Sequence, residues 1–145
     1  SRLIRFMTKA MYQNHGIGLA AIQVGYQLRM FVMDCSRSGD NSKVFINPEI
    51  VEKSDETLRD SEGCLSAPGK TGDVRRHLRI ILKYQDQYGK EERKTFYNLE
   101  ARCIQHEMDH LEGKLCIDYE KGDYSRDKHK SQTMVESDFR TKSDS

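Results

Sequence analysis

Apolar residues near the start of the chain recur at intervals of three and four, as they do along one face of a helix. They are Leu3, Ile4, Phe6, Met7, Ala10 and Met11. This spacing predicts a helix over residues 2–14. The sequence NHGIGLA that follows contains two glycines, which allow the helix to end and the backbone to turn. We therefore expect a helix followed by a glycine-rich loop.

Two later regions have the residue types and the alternation of β-strands. The runs LRMFVMDC (residues 28–35) and KVFIN (residues 43–47) flank the polar loop SRSGDNS, which predicts two paired strands. Residues 79–98 alternate apolar and polar side chains on both sides of a Tyr88-Gly89 turn, as in an antiparallel hairpin. We therefore expect short, mostly antiparallel strands.

A second helix is predicted over residues 99–111, and Gly113 is placed to end it. Its expected inner face carries both apolar residues and residues capable of chemistry. They are Leu99, Cys103, Ile104, His106, Glu107, His110 and Leu111. Together with the strands, this helix indicates an α+β fold in which the strands surround a central helix.

Composition and charge exclude several classes of protein. The chain has 145 residues, the usual length of one domain. Its 24 basic and 23 acidic residues are interspersed, so a net charge of +1 leaves no broad field to attract polyanions or anionic membranes. No apolar run approaches the roughly 20 residues that cross a bilayer, and no secretory signal is recognisable. We expect a cytoplasmic protein without direct nucleic-acid or membrane binding, whose four cysteines are free thiols.

The sequence HEMDH places His106 and His110 four residues apart. On a helix their rings lie one turn apart on the same side, where they can share one metal ion. Glu107 then lies beside the metal without having to bind it. A carboxylate so placed can take a proton from a water molecule and return it to a leaving group, as amide hydrolysis requires.

A catalytic site of this kind needs a third protein ligand, and two cysteines are candidates. A thiolate at either Cys64 or Cys116 would suit zinc or ferrous iron. Cys64 follows Gly63, which lets the backbone approach closely, and precedes Leu65, whose N–H can face the same site. Cys116 lies in the apolar sequence LCI. These neighbours favour Cys64 as the ligand and Cys116 as a core residue.

The stretch GIGLAAIQVG (residues 16–25) allows backbone to pass close to a ligand, and Gln23 is the only polar side chain in it. An amide N–H there can stabilise an oxyanion. As a phosphate-binding loop the stretch fails, because it lacks both the G-x-G-x-x-G pattern and a following Lys and Ser/Thr.

Taken in order, GIGLAAIQVG, EGCLS and QHEMDH resemble the three signature segments of peptide deformylases, which remove the N-formyl group from nascent polypeptides. The similarity covers about residues 2–120. We accordingly expect a catalytic domain over residues 1–120. Residues 121–145 form a polar tail with few large apolar side chains, which we expect to be disordered because it cannot bury enough surface.

The resemblance implies a role for each matching residue. One divalent metal ion would be bound by Cys64, His106 and His110, and Glu107 would act as general acid and base. Gln23 and the backbone N–H of Leu65 would stabilise the oxyanion. Such deformylases use Fe2+ in the cell and accept Ni2+, Co2+ or Zn2+. Glu62 is expected to orient a ligand or a neighbouring loop.

The resemblance also implies a formyl-methionyl peptide bound as an added strand beside the glycine-rich loop. Ile17 and Gly18 would supply backbone hydrogen bonds. Leu99, Cys103 and the aliphatic stem of Arg102 match positions that can line the methionine pocket, although they suit the helix core equally. Some relatives have a peptide-holding arginine where this chain has Thr71, and we expect a nearby basic residue to substitute. The candidates are Lys70, Arg75 and Arg76.

We expect a monomer that acts on formyl-Met nascent peptides in a bacterial or phage-infected cell or in an organelle, with transient ribosome association left open. Two rival hypotheses remain. A zinc endopeptidase would use Cys116 or a downstream acidic residue as third ligand. A binding module would capture formyl-methionine without cleaving it.

Overall fold

The computed structural model of the chain describes residues 1–63 and 71–113. Two helices, a 3₁₀ helix and seven strands follow one another in this part of the chain. In order they are α1 (Arg2–Gln13), β1 (Gly18–Ala20), the 3₁₀ helix (Ala21–Val24), β2 (Met30–Met33), β3 (Lys43–Lys53), β4 (Thr57–Gly63), β5 (Thr71–His77), β6 (Arg79–Gln85), β7 (Glu91–Tyr97) and α2 (Asn98–Leu111). The predicted α+β class is confirmed.

The strands form two sheets in which every pairing is antiparallel. Five strands pair in the order β1-β2-β3-β6-β7, and β4 pairs with β5 in a separate two-stranded sheet. The larger sheet lies between the two helices, because alternate residues of β2 belong to different cores. Met30 and Val32 pack with α1, whereas Phe31 and Met33 pack with α2. Burial on both faces explains the unbroken apolar run of β2.

Periodicity predicted the helices and the two strand pairs correctly. The hairpin of β6 and β7 turns at Gly89, whose φ of 84° suits glycine, and the helix α2 ends just before Gly113, with φ of 78°. Strand β3 extends beyond the predicted run to Lys53. No helix within residues 1–63 and 71–113 has both the length and the apolar character to cross a bilayer.

Three strands were not predicted. Strand β1 has only three small or apolar residues, too few to show a period, and was expected to be loop. Strand β4 has the sequence TLRDSEG, in which Leu58 is the only large apolar residue. The two-stranded sheet of β4 and β5 lies outside the main core and needs no alternating apolar pattern, so no periodicity in the sequence predicted these strands. Leu99, expected on the inner face of α2, is 52% exposed.

Candidate metal centre and active site

The rings of two histidines on helix α2, His106 and His110, converge. Nε2 of His106 and Nε2 of His110 lie 3.2 Å apart, because residues four apart on a helix project from the same side. Ligand atoms of His106, Glu107 and His110 all lie within 4.8 Å of one another. His106 and His110 therefore project from the same side of α2, as the sequence predicted.

Glu62, on β4, fixes the orientation of His106. Its Oε1 lies 2.7 Å from Nδ1 of His106 and accepts that ring N–H, which leaves Nε2 available to a metal. Arg76, on β5, donates through Nε to Oε2 of Glu62 at 3.0 Å and through Nη2 to Oε1 at 2.8 Å. Burial raises the pKa of Glu62, but the hydrogen bonds from His106 and Arg76 outweigh it and lower the pKa to about 2. Glu62 is therefore a buried, ionised carboxylate.

Two arginines tie α2 to the small sheet. Arg76 also donates to Asp109 at 2.6 Å, and Arg102 donates to Oε2 of Glu62 at 2.5 Å. The guanidinium of Arg102 further donates to the backbone oxygens of Val74, at 3.1 Å, and Leu58. The sequence predicted that Glu62 would orient a ligand or a neighbouring loop, but not its pairing with these arginines, which come from segments far apart in the sequence. The guanidinium of Arg102 thus contacts Glu62 and the small sheet, beyond the pocket-lining stem that the sequence suggested.

Of the three residues proposed to replace a peptide-holding arginine, Arg76 is 4% exposed and is paired with Glu62 and Asp109. Its guanidinium is therefore engaged with two carboxylates, and its contact with peptide stays a prediction. Arg75 is exposed and donates to the hydroxyl of Thr57 at 3.1 Å. Lys70 lies outside the described residues.

The pKa values of the two histidines are shifted in opposite directions. Burial and the charge of His106 lower the pKa of His110 to about 3, so His110 is neutral and has a lone pair to offer a metal. Burial lowers the pKa of His106, but its hydrogen bond to Glu62 and the charge of Glu107 raise it above the usual value. A metal ion would bind that ring through an unprotonated Nε2.

Glu107 is the group beside this pair that the fold leaves unsatisfied. It is 3% exposed, and among the described residues its Oε1 has no hydrogen-bond partner. Burial raises its pKa to about 7, with the charges of Glu62 and Asp109 acting in the same direction against that of His106. A buried polar atom without a partner is costly, so its presence beside two histidines fits a site that receives a metal ion and a water molecule.

Strand β1 passes directly over this carboxyl group. A Cβ atom at Gly18 would lie 2.6 Å from Oε2 of Glu107 and 2.9 Å from Sγ of Cys103, so only glycine fits. β1 is the edge of the larger sheet, and the Asp34 N–H donates to the Ile17 oxygen at 2.8 Å. Because such bonds alternate along an antiparallel pair, Gly18 directs its own N–H and oxygen away from β2. No strand of residues 1–63 and 71–113 pairs with this side of β1, which we call its free edge and where an extended peptide can pair.

The remaining predicted site residues lie as follows. Oε1 of Gln23 accepts the N–H of Ala20 at 2.9 Å, which fixes the end of its side chain against the backbone. Ile17 and Leu99 are exposed, and Cys103 is buried beside Gly18. Cys64 and Leu65, like Cys116 and the tail 121–145, lie outside the described residues.

A helix that offers two converging histidines and a buried carboxyl group, beside an open strand edge, is typical of a metal-dependent hydrolase acting on peptides. The sequence as a whole specifies which one. The polypeptide deformylase family model matches residues 1–125, and the chain belongs to that family.

Similar proteins agree with this assignment. A peptide deformylase of Xylella fastidiosa is 49% identical over 117 residues, which are 81% of this chain and 68% of that protein. Peptide deformylase 1 of Clostridium perfringens is 50% identical over 118 residues, covering 81% and 79% of the two chains.

Solved structures show the same fold. A probable peptide deformylase from Synechococcus phage S-SSM7 has a TM-score of 0.77 at 41% identity, covering 81% of this chain and 80% of that one. The Thermotoga maritima peptide deformylase has a TM-score of 0.73 at 45% identity, covering 77% and 74%.

Proposed function

We propose that this chain is a peptide deformylase that hydrolyses the N-formyl group of formyl-methionyl nascent peptides and releases formate. The observation that carries the proposal is the buried carboxyl group of Glu107, placed beside two converging histidines and directly beneath the free edge of β1. Membership of the polypeptide deformylase family supplies the reaction.

The metal ligands in this proposal are His106, His110 and Cys64. Two imidazole nitrogens and a thiolate suit ferrous iron or zinc, and Fe2+ is the ion we assign, with Ni2+, Co2+ or Zn2+ as substitutes. Cys64 follows Glu62 by two residues, and Glu62 contacts His106, which supports it over Cys116. A divalent cation bound there would act as a Lewis acid and lower the pKa of a bound water.

Different protein groups transfer the protons and stabilise the negative charge of the oxyanion. Glu107 takes a proton from the attacking water and delivers it to the departing amine, for which a pKa of about 7 is well placed. The side-chain amide of Gln23 and the backbone N–H of Leu65 donate to the oxygen of the formyl group as negative charge develops on it. The hydrogen bond from Ala20 to Gln23 holds that amide in place before substrate arrives.

The peptide binds as an added strand on the edge of β1, where Gly18 offers its N–H and oxygen and Ile17 lies alongside. Cys103 and Leu99 lie on the adjacent turns of α2 and line the methionine pocket. Arg102 contributes its stem to that pocket, while its guanidinium holds Glu62.

The setting of the reaction follows from its substrate. Formylated nascent peptides emerge at the ribosome, so we place the protein in the cytoplasm of a bacterial or phage-infected cell, with an organelle as the alternative. Its relatives above include bacterial enzymes. We expect it to act as a monomer that meets the ribosome transiently.

The decisive experiment measures formate released from formyl-Met-Ala-Ser by the chain loaded anaerobically with Fe2+ or Ni2+. The Glu107→Gln variant should lose activity by about 100- to 10,000-fold while retaining metal. Cys64→Ala should lose both activity and metal.

The same assay separates the rivals. A zinc endopeptidase would cleave internal peptide bonds and keep its metal in Cys64→Ala. A binding module would retain formyl-Met-Ala-Ser without releasing formate. Cleavage of internal peptide bonds by the metal-loaded parent, or retention of the peptide without release of formate, would overturn the proposed function.

A further inference from the structure

Two thiols lie side by side next to the free strand edge. Cys35 follows β2 closely in sequence, and Cys103 is on α2, yet their side chains are close enough for each to shift the pKa of the other. Cys35 packs against the core cluster that contains Cys103, and neither is in a disulfide. The proposed reaction uses neither thiol as a chemical group.

The two thiols have different surroundings. Cys103 is 5% exposed, whereas Cys35 is only partly buried and is therefore the one that a small solute reaches. The hydrogen bond from Cys103 lowers the pKa of the Cys35 thiol, and the same bond together with burial raises the pKa of Cys103. An accessible thiol with a lowered pKa beside a second thiol is the arrangement that peroxides oxidise to a disulfide.

We infer that Cys35 and Cys103 are a peroxide-sensitive pair whose disulfide weakens peptide binding along β1. The sulfur of Cys35 attacks hydrogen peroxide, the O–O bond breaks, and one water leaves as a sulfenic acid forms. The sulfur of Cys103 then attacks the sulfenic sulfur, the S–O bond breaks, and a second water leaves. Two thiols are oxidised to one disulfide while one peroxide is reduced to two waters.

Both cysteines are connected to the strand edge that binds peptide, so the effect on binding rests on the proposed function. Sγ of Cys103 lies 2.9 Å from the place of a Cβ on Gly18 and 3.8 Å from the Ile17 oxygen. Asp34, next to Cys35, donates its N–H to that same oxygen at 2.8 Å. A disulfide holds its sulfurs about 2 Å apart, closer than two thiols in contact. Whichever cysteine moves, the displacement reaches Ile17 and Gly18.

The test treats the full metal-loaded chain with one equivalent of hydrogen peroxide, blocks remaining thiols by alkylation, and digests with trypsin. Each cysteine falls in a different tryptic peptide, so mass spectrometry identifies the pairing. We expect residues 30–37 linked to residues 103–114 with the loss of two hydrogen atoms. Absence of that linked peptide, or a predominant link to residues 60–70 or 115–121, would overturn the inference.

The kinetic arm compares the parent with Cys35→Ser, a variant outside the catalytic and binding residues. Oxidation should raise the KM of the parent for formyl-Met-Ala-Ser by about tenfold, corresponding to 1.4 kcal/mol, and dithiothreitol should reverse the change. Cys35→Ser should keep its KM under the same treatment. A linked parent with unchanged KM would overturn the effect on binding. No formate from untreated parent would instead refute the proposed function, since the mass measurement needs no activity.

Discussion

Oε1 of Glu62 lies 2.7 Å from Nδ1 of His106, although 44 residues separate them. The contact settles which nitrogen of His106 faces the candidate metal centre, because Nδ1 is already engaged. It also joins the small sheet to α2, since Arg76 holds both oxygens of the same carboxylate. A carboxylate that orients a histidine ligand and raises its basicity is a usual partner of protein metal sites.

Replacing Glu62 with glutamine should weaken metal binding. The amide keeps the size of the side chain but removes the charge that supports His106 and pairs with Arg76, so metal affinity should fall about 10- to 100-fold. Titration of the metal-free protein with Co2+, followed by its absorption spectrum, measures this directly. Glu49→Gln, at an exposed position on β3, is the matched control and should bind as the parent does. Equal affinity in both variants would contradict the role of Glu62.

Alanine at Gly18 should impair both folding and activity. Its Cβ would lie 2.6 Å from Oε2 of Glu107, so β1 or the carboxyl group has to move, at a cost of about 1–3 kcal/mol. Urea denaturation gives the stability, and kcat/KM for a formylated peptide gives the activity. In a Glu107→Ala background the same substitution should cost markedly less stability. An undiminished cost there would show that the contact with Glu107 is not its cause.

Two substitutions at Arg102 separate the role of its aliphatic stem in peptide binding from the role of its guanidinium in stability. Methionine keeps an aliphatic stem but loses the hydrogen bonds to Glu62, Val74 and Leu58. Arg102→Met should therefore lower the free energy of unfolding by about 1–3 kcal/mol while leaving KM near that of the parent, and Arg102→Ala should also raise KM. Arg93→Met, at an exposed position on β7, controls for loss of a positive charge. Equal KM values for the two Arg102 variants would show that the stem does not line the methionine pocket.

Asp34 should make stability depend on pH in the acid range. Burial raises its pKa, but hydrogen bonds from Ser36 and Tyr12 outweigh this and lower it from 3.8 to about 2. Since the folded pKa lies below the unfolded one, the carboxylate stabilises the fold above about pH 4, and this contribution is lost as pH falls towards 2.

Asp34→Asn should accordingly be less stable than the parent at pH 7, and the difference should shrink by pH 3. Urea denaturation at both pH values measures it, with the exposed Asp55→Asn as control. A difference that stays constant between pH 7 and pH 3 would rule out ionisation of Asp34 as its source.

The sequence alone determined the features that repeat over short distances. Helical spacing gave α1, α2 and the shared side of His106 and His110, because the geometry of one helix fixes where residues four apart project. Apolar runs and turn residues gave β2, β3 and the β6–β7 hairpin. The three signature segments, taken in order, also indicated the deformylase family from the sequence alone.

Only the tertiary structure decided what long-range contacts bring together. Glu62, Arg76 and Arg102 come from three elements, and no local pattern marks one polar residue of β4 or β5 as buried rather than solvated. The contact between Cys35 and Cys103 and the fit of Gly18 against Glu107 likewise depend on how α2 crosses the sheet. Local propensity acts over a few neighbours, whereas charge pairing and close packing are set by distances in space that the order of residues does not contain.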